Sequence, residues 1–366
     1  MAYIGRDKGF GQQQRDKSQN HSCPQVIPFR KELNLIRNDI KQFKGPSLER
    51  FPHFMFDQIV RKAVFDVFNI TPVKPIHLND LPHNVEMDKS SSPGLPWIES
   101  GYKTKMEVMQ DPVAFRSIRL FWHNIKRGNK KHATDCCAVK ADQPKFRVIL
   151  DYPATISLQE ACFALPLIQA YKEKGFPIVF GRETARQDRR KVYNQFCKAK
   201  YIFSPNYQQF DKTIPAWLIS LVFDILTLNI DFCYYQNGGI PDASHLHRTW
   251  LYLIEYFINT PIRLCNGERY KKNRGVLNGS YLANIIQSIV NWIVTSYALT
   301  ACGAFEHDII VMGGNSLVGC SQTVDLKCFN NYVSKFGMAI NTGTPQVMEN
   351  IYESSLRRKL KKYGVF

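Results

Sequence analysis

The sequence predicts a mixed α/β (α+β) fold, and three observations carry that expectation. Short apolar runs bounded by turn residues at 147–150, Tyr201–Phe203, 263–265 and 309–312 read as strands, and the longer stretches between them follow helical periodicity. Hydrophobic residues make up 44% of the 366 positions and aromatic residues 13%, enough to close a sizeable core. No repeat of fixed period is visible, which excludes a solenoid or propeller.

In chain order, residues 1–25 are polar and lack apolar periodicity, and are expected to form a mobile arm. Residues 26–75 read as a helical extension. Within 50–68, Phe51, Phe54, Met55, Ile59, Val60 and Val64 would supply an inward face. The run Lys-Ser-Ser-Ser-Pro-Gly-Leu-Pro at 89–96 is turn chemistry, and 128–144 reads as a loop-rich insertion. From 275 to 305 no residue is charged. Asn284, Gln287, Ser288, Asn291 and Thr295 recur there at spacings of three and four, so the stretch is expected to be a buried helix with one polar stripe toward a wet cleft. That stripe argues against a membrane span. Five of the six residues 357–362 are basic, within an expected basic tail at 346–366.

Forty-eight Lys and Arg against 31 Asp and Glu leave a formal charge of +17, which favours a polyanionic partner, nucleic acid first. Ten cysteines without a repeated C-x-x-C spacing suggest reduced thiols rather than zinc ligands or a disulfide framework. The polar first residues lack the apolar core of a secretory signal, so a cytoplasmic location is expected. His245 and His247 have no obvious third ligand, and Cys136, Cys137 and Cys320 read as small apolar side chains.

Three segments carry the chemistry by their joint order. Asn206-Tyr-Gln-Gln-Phe-Asp211 follows a predicted strand and leads into a helix. Arg274-Gly-Val-Leu-Asn-Gly-Ser280 is a flexible loop opening the uncharged helix. Ile309-Ile-Val-Met-Gly-Gly-Asn-Ser316 is an apolar strand followed by a tight turn.

These segments resemble motifs A, B and C of the RNA-dependent RNA polymerases of partitiviruses and their double-stranded RNA virus relatives. Ser91-Ser-Pro-Gly-Leu-Pro-Trp97 with Lys103 and Lys105 resembles the family's template-entrance segment. Lys140 and Gln143-Pro-Lys-Phe-Arg147 resemble its basic fingertip motif. The resemblance runs from about 85 to 342 and implies a polymerase right hand with a template-primer cleft. Its fingers would be 76–200 and 238–272, its palm 201–237 and 273–345, and the tail at 346–366 would stand in place of a thumb. It further implies RNA and nucleoside triphosphates as partners, viral or host proteins as further ones, and association with a virion.

By the same resemblance the family's chemistry uses two Mg2+ ions, held by the first Asp of motif A and the two Asp of motif C. Asn206, Gly314 and Asn315 occupy those positions here, so three formal negative charges are gone and no resident metal is expected. Asp211 corresponds to the acid that senses the ribose hydroxyl. Gly279, Ser280 and Asn291 correspond to nucleotide-contacting residues, and Lys103, Lys105, Lys140, Lys145 and Arg147 to RNA or triphosphate contacts. Leu277, Asn278 and Ala283 depart from the family pattern in motif B. The resulting expectation is a polymerase-like protein without polymerase activity that retains RNA binding. One alternative is an active polymerase recruiting Asp211, Asp308 or a partner's acids as ligands. Another is a scaffold or decoy that binds proteins.

Overall fold

A computed structural model describes residues 29–83, 87–129, 134–141, 147–180, 199–341 and 347–349, with 132 and 196. The expected arm at 1–25, Lys145 and the basic run at 357–362 lie outside the described residues. The elements are α1 (Phe29–Lys41), α2 (Phe54–Lys62) continued by a π-helical turn Ala63–Val67, and a 3₁₀ turn Leu78–Asp80. Then come α3 (Lys105–Gln110), α4 (Pro112–Lys126), β1 (Cys136–Ala141), β2 (Arg147–Asp151), α5 (Ala154–Lys174) and β3 (Tyr201–Phe203). They continue as α6 (Phe210–Thr213), α7 (Ala216–Leu228), α8 (Ala243–Ile258), β4 (Pro261–Arg263) and β5 (Arg269–Lys271). The last are α9 (Ala283–Ala301), β6 (His307–Met312), β7 (Asn315–Cys320), α10 (Leu326–Ser334) and β8 (Val347–Glu349).

Local sequence starts these helices where short polar side chains can accept their free N–H groups. Asp111 accepts from Val113 N at 2.8 Å ahead of Pro112, Asp242 from Ser244 N at 2.9 Å, and Asp325 from Lys327 N at 2.9 Å. The strands form two sheets whose order does not follow the chain. One runs β2-β1-β4-β5, in which β1 pairs parallel to β4 across more than a hundred residues of sequence. The other runs β6-β7-β3-β8 and is antiparallel throughout. Helix α9 sits against the second sheet and packs on α2, α7, α10 and β6, with Ile285, Ile286, Ile289, Val290, Ile293, Val294 and Tyr297 all buried. No described helix is long and apolar enough to cross a membrane. Phe51, Phe56, Trp217, Tyr297 and Phe336 stack ring to ring at 5.2–6.3 Å and bind the N-terminal helices to this core.

The structure departs from the sequence expectations in four places. The insertion expected to be loop contains strand β1, whose partners are remote in sequence. In α2 the inward face is Phe56, Ile59, Val60 and Ala63, while Phe54 and Met55 are exposed, a helical phase shifted by about one residue. Three residues of the expected basic tail form β8, paired with β3. The third strand predicted at 263–265 lies two residues earlier, at Pro261–Arg263.

Candidate functional site

The β6–β7 hairpin turns on two residues, with Met312 paired to Asn315. Gly313, the first turn residue, takes φ +56, which a side chain disfavours and tight hairpins require. Strand β3 pairs with β7 in the register Phe203↔Val318. That register, continued three residues past its last pair, sets Asn206 level with Asn315, and both are exposed. Ser204 Oγ donates to Ser316 O at 2.9 Å, which carries the alignment beyond the paired residues. The hairpin tip and the loop after β3 therefore meet at one end of the sheet. Between them lies Phe210, buried, whose ring approaches the Gly314 Cα so closely that a Cβ built there would stand 3.0 Å from Phe210 Cδ1.

Helix α9 fixes this tip from below. Ser288 Oγ accepts from Gly313 N at 2.8 Å, and Asn291 Nδ2 donates to Gly313 O at 3.0 Å. Thr295 Oγ1 donates to Asn291 Oδ1 at 3.0 Å and lies 2.8 Å from Tyr207 Oη, so one chain of hydrogen bonds joins both loops to the helix. The stripe read from the sequence is real as spacing but splits in exposure. Asn284 is exposed and Gln287 half-exposed, whereas Ser288, Asn291 and Thr295 are fully buried. Asn291, expected as a nucleotide contact, has its amide committed to the protein interior.

The segment-B loop is gripped from three sides. Gly275, at φ +79, passes so close to the α6 backbone that a Cβ would lie 2.8 Å from Asp211 O. Gly275 N donates to Ile214 O at 2.8 Å and Val276 N to Asp211 O at 2.6 Å. Burial raises the Asp211 pKa above its ordinary value, with the Lys212 ammonium opposing. Lys212 is ion-paired to Asp39, and Arg274 Nε donates to Gln42 O at 2.9 Å, so the end of α1 and the residue after it brace the same loop. Beneath it Lys272 Nζ donates to Gly275 O at 2.7 Å, and burial pushes that ammonium down to about 7.

On the third side the loop closes on α5. Ser280 Oγ donates to Glu160 Oε1 at 2.7 Å and Tyr281 N to Glu160 Oε2 at 2.8 Å. Glu160 is 1% exposed; burial raises its carboxyl from 4.5 to about 7, against the pull of those two donors and of Lys105. Lys105, expected in the RNA channel, is itself buried, with its ammonium 5.4 Å from the centre of the Tyr281 ring. It faces Asp88, Glu160 and Asp151. The turn-rich segment is pinned here too: Ser92 Oγ donates to Asp151 Oδ2 at 2.9 Å and Trp97 Nε1 to Thr155 Oγ1 at 3.0 Å. A Cβ on Gly279 would lie 2.8 Å from Leu150 O.

The structure thus brings Asn206, Gly314 and Asn315 to one sheet end with Asn291 underneath, and Lys105, Gly279 and Ser280 around Glu160. Asp211 lies beside the segment-B loop, and Lys103 is exposed. Lys140 and Arg147 fall on the paired strands β1 and β2, in the register Lys140↔Val148 and Ala141↔Arg147. Sequence reasoning missed Glu160, Lys272 and Phe210. An acid in the middle of the apolar run of α5 was the available signal for Glu160. Among the described residues no three His, Cys, Asp or Glu side chains converge as metal ligands would.

The loop after β3 and the β6–β7 turn meet at one sheet end with α9 as its floor, and the segment-B loop that leads into α9 packs against α6, a polymerase-type arrangement. The family model described as viral RNA-dependent RNA polymerase matches residues 25–355, and the chain belongs to that family. The RNA-directed RNA polymerase of Cryptosporidium parvum virus 1 (strain KSU-1) is 30% identical over 223 residues, 58% of this chain. The matched part spans 39% of that relative's length.

Proposed function

We propose that this chain is a partitivirus-type member of the polymerase family that binds RNA without polymerising it. The observation that carries the reading is the chemistry at the sheet end: an amide at 206, no side chain at 314 and an amide at 315. A pair of magnesium ions needs several anionic oxygens in near-octahedral array. Two neutral carbonyl oxygens do not fit it, and Phe210 occupies the space beside Gly314. Each tenfold loss in rate is about 1.4 kcal/mol of barrier, and the two-metal clamp accounts for several such factors.

Substitute ligands have little support. Asp308 pairs with Gly319 in the body of β6, about 16 Å along the strand from the turn at roughly 3.3 Å per residue. Asp211 is partly buried, and its backbone carbonyl is engaged by the segment-B loop. The division of the two sheets supports a fingers module built from 76–200 and 238–272, because β1 and β2 pair with β4 and β5. It likewise supports a palm built from 201–237 and 273–345, because β3 pairs with β7. Lys103, with Lys140, Lys145 and Arg147, is assigned to RNA phosphates, which require charge and reach rather than tight coordination. Ser280 and Asn291 are assigned to holding loops in place from inside the protein.

Primer extension with magnesium or manganese tests the reading. No templated incorporation, with RNA binding that weakens steeply as salt rises, supports it. Incorporation above a protein-free blank overturns it.

A further inference from the structure

Helix α4 carries a cationic feature that the site above does not use. Arg116, Arg119, His123 and Lys126 recur at intervals of three, four and three residues, so they share one helix face, and α4 contains no Asp or Glu. Facing them at the 3₁₀ turn stand His77 and Asn79, and these side chains line a cleft of about 440 Å³. Arg116, Arg119 and His123 are exposed and Lys126 is half-buried. Burial lowers the pKa of Lys126; burial first, and then the Lys126 charge, lower that of His77.

None of the residues lining the cleft is acidic, and the charge of Asp80 beside it acts on His77. Among the described residues, no salt bridge engages Arg116, Arg119 or Lys126. Asp80, at the end of the 3₁₀ turn, accepts from Asn237 Nδ2 at 2.7 Å. Arg248 Nη1 donates to Lys126 O at 2.9 Å, which fastens the last turn of α4 to α8. At the floor, Trp122 is buried with its indole N–H donated to Thr155 O at 2.7 Å.

We propose that this face of α4 is a docking track for RNA backbone phosphates, separate from the site at the β6–β7 turn. Arg116 and Lys126 lie about 15 Å apart along the helix at 1.5 Å per residue. A span of that length is met by several successive phosphates of one strand and exceeds the phosphate chain of a single nucleotide. The cleft's indole is buried rather than open to stacking, so recognition reads charge and is indifferent to base sequence. The choice of RNA as the polyanion rests on the function proposed above; the cationic cleft does not.

The test is fluorescence anisotropy of a labelled oligouridylate over a salt series, with the whole chain, Arg116→Gln/Arg119→Gln and Lys103→Gln, each checked for an unchanged thermal melt. Loss of two phosphate contacts is expected to flatten the slope of log K against log salt by about 1.4, at about 0.7 per contact. An unchanged slope in the double variant, with Lys103→Gln weakened, overturns the track and leaves the RNA-binding reading standing. Failure of the unmodified chain to bind at low salt overturns both. Displacement of RNA by a nucleoside triphosphate at matched phosphate concentration, abolished in the double variant, overturns the track in favour of a free-nucleotide site.

Discussion

Gly314→Ala probes directly whether the turn still has room for a ligand side chain. A Cβ there would stand 3.0 Å from Phe210 Cδ1, 3.2 Å from its Cβ and 3.3 Å from its Cγ. Unstrained carbon pairs sit at about 3.5–4.0 Å, so all three contacts fall short. Phe210 cannot simply swing away, because it is 6% exposed and its ring centre is 5.0 Å from that of Tyr207. Overpacking of this kind costs about 1–3 kcal/mol. The φ of Gly314 is not positive, so the backbone alone would favour alanine by about 0.4–1 kcal/mol. The net expectation is a loss of about 1 kcal/mol for Gly314→Ala in urea unfolding. A larger loss is expected for Gly314→Asp, whose bulkier side chain meets the same Phe210 ring. Phe210→Leu should relieve the strain, giving a favourable coupling of about 1 kcal/mol in the double-mutant cycle. An alanine variant as stable as the parent, with no coupling to position 210, would refute the crowding and reopen the site to a ligand carboxylate.

Three further outcomes follow from the buried polar groups. Glu160 is raised from 4.5 to about 7 in the folded state, which then holds a proton the unfolded chain releases; stability should fall by about 3 kcal/mol as pH rises through that window. Glu160→Gln should flatten that slope, its amide oxygen still accepting from Tyr281 N and its NH2 facing the Ser280 hydroxyl, so parallel pH–stability curves would contradict the assignment. Lys272 acts with the opposite sign: lowered from 10.5 to about 7, it makes the unfolded chain the better proton binder, so stability should rise by up to about 5 kcal/mol between those values and Lys272→Met should abolish the rise. Asn291→Leu strands Gly313 O and leaves the Thr295 hydroxyl only Tyr207 Oη as a partner, and should cost about 1–3 kcal/mol in urea unfolding with the hairpin amides losing hydrogen-exchange protection first.

What the sequence disclosed, and what it hid, follows from the range of the interactions. The hairpin was legible because an apolar strand followed by Gly313-Gly314 encodes its own turn. The three-and-four spacing of Asn284 to Thr295 marked a helix face, but nothing local says whether amides and hydroxyls meet water or a neighbouring hairpin. Only the packing of β6 on α9 decides that. Strand β1 was missed because six residues in a basic, polar setting become a strand through β2 and the remote β4. Strands β5 and β8 are three residues long, and β5 is charged at both ends, so neither has a periodic signal. Phe54 and Met55 looked as apolar as Phe56, and the ring cluster around Trp217 and Tyr297 selects among them. Lys105 read as an RNA-channel cation because its counter-charge, Glu160, lies 55 positions further along the chain.

The most direct test of the central claim is manganese binding, read by electron paramagnetic resonance, in the unmodified chain beside Asn206→Asp/Gly314→Asp/Asn315→Asp. The account expects free-ion manganese spectra throughout the titration of the unmodified chain, with any retention of the ion confined to the variant. Stoichiometric retention by the unmodified chain would contradict it, and would mean that Asn206 and Asn315 work with carboxylates that this reading has left out.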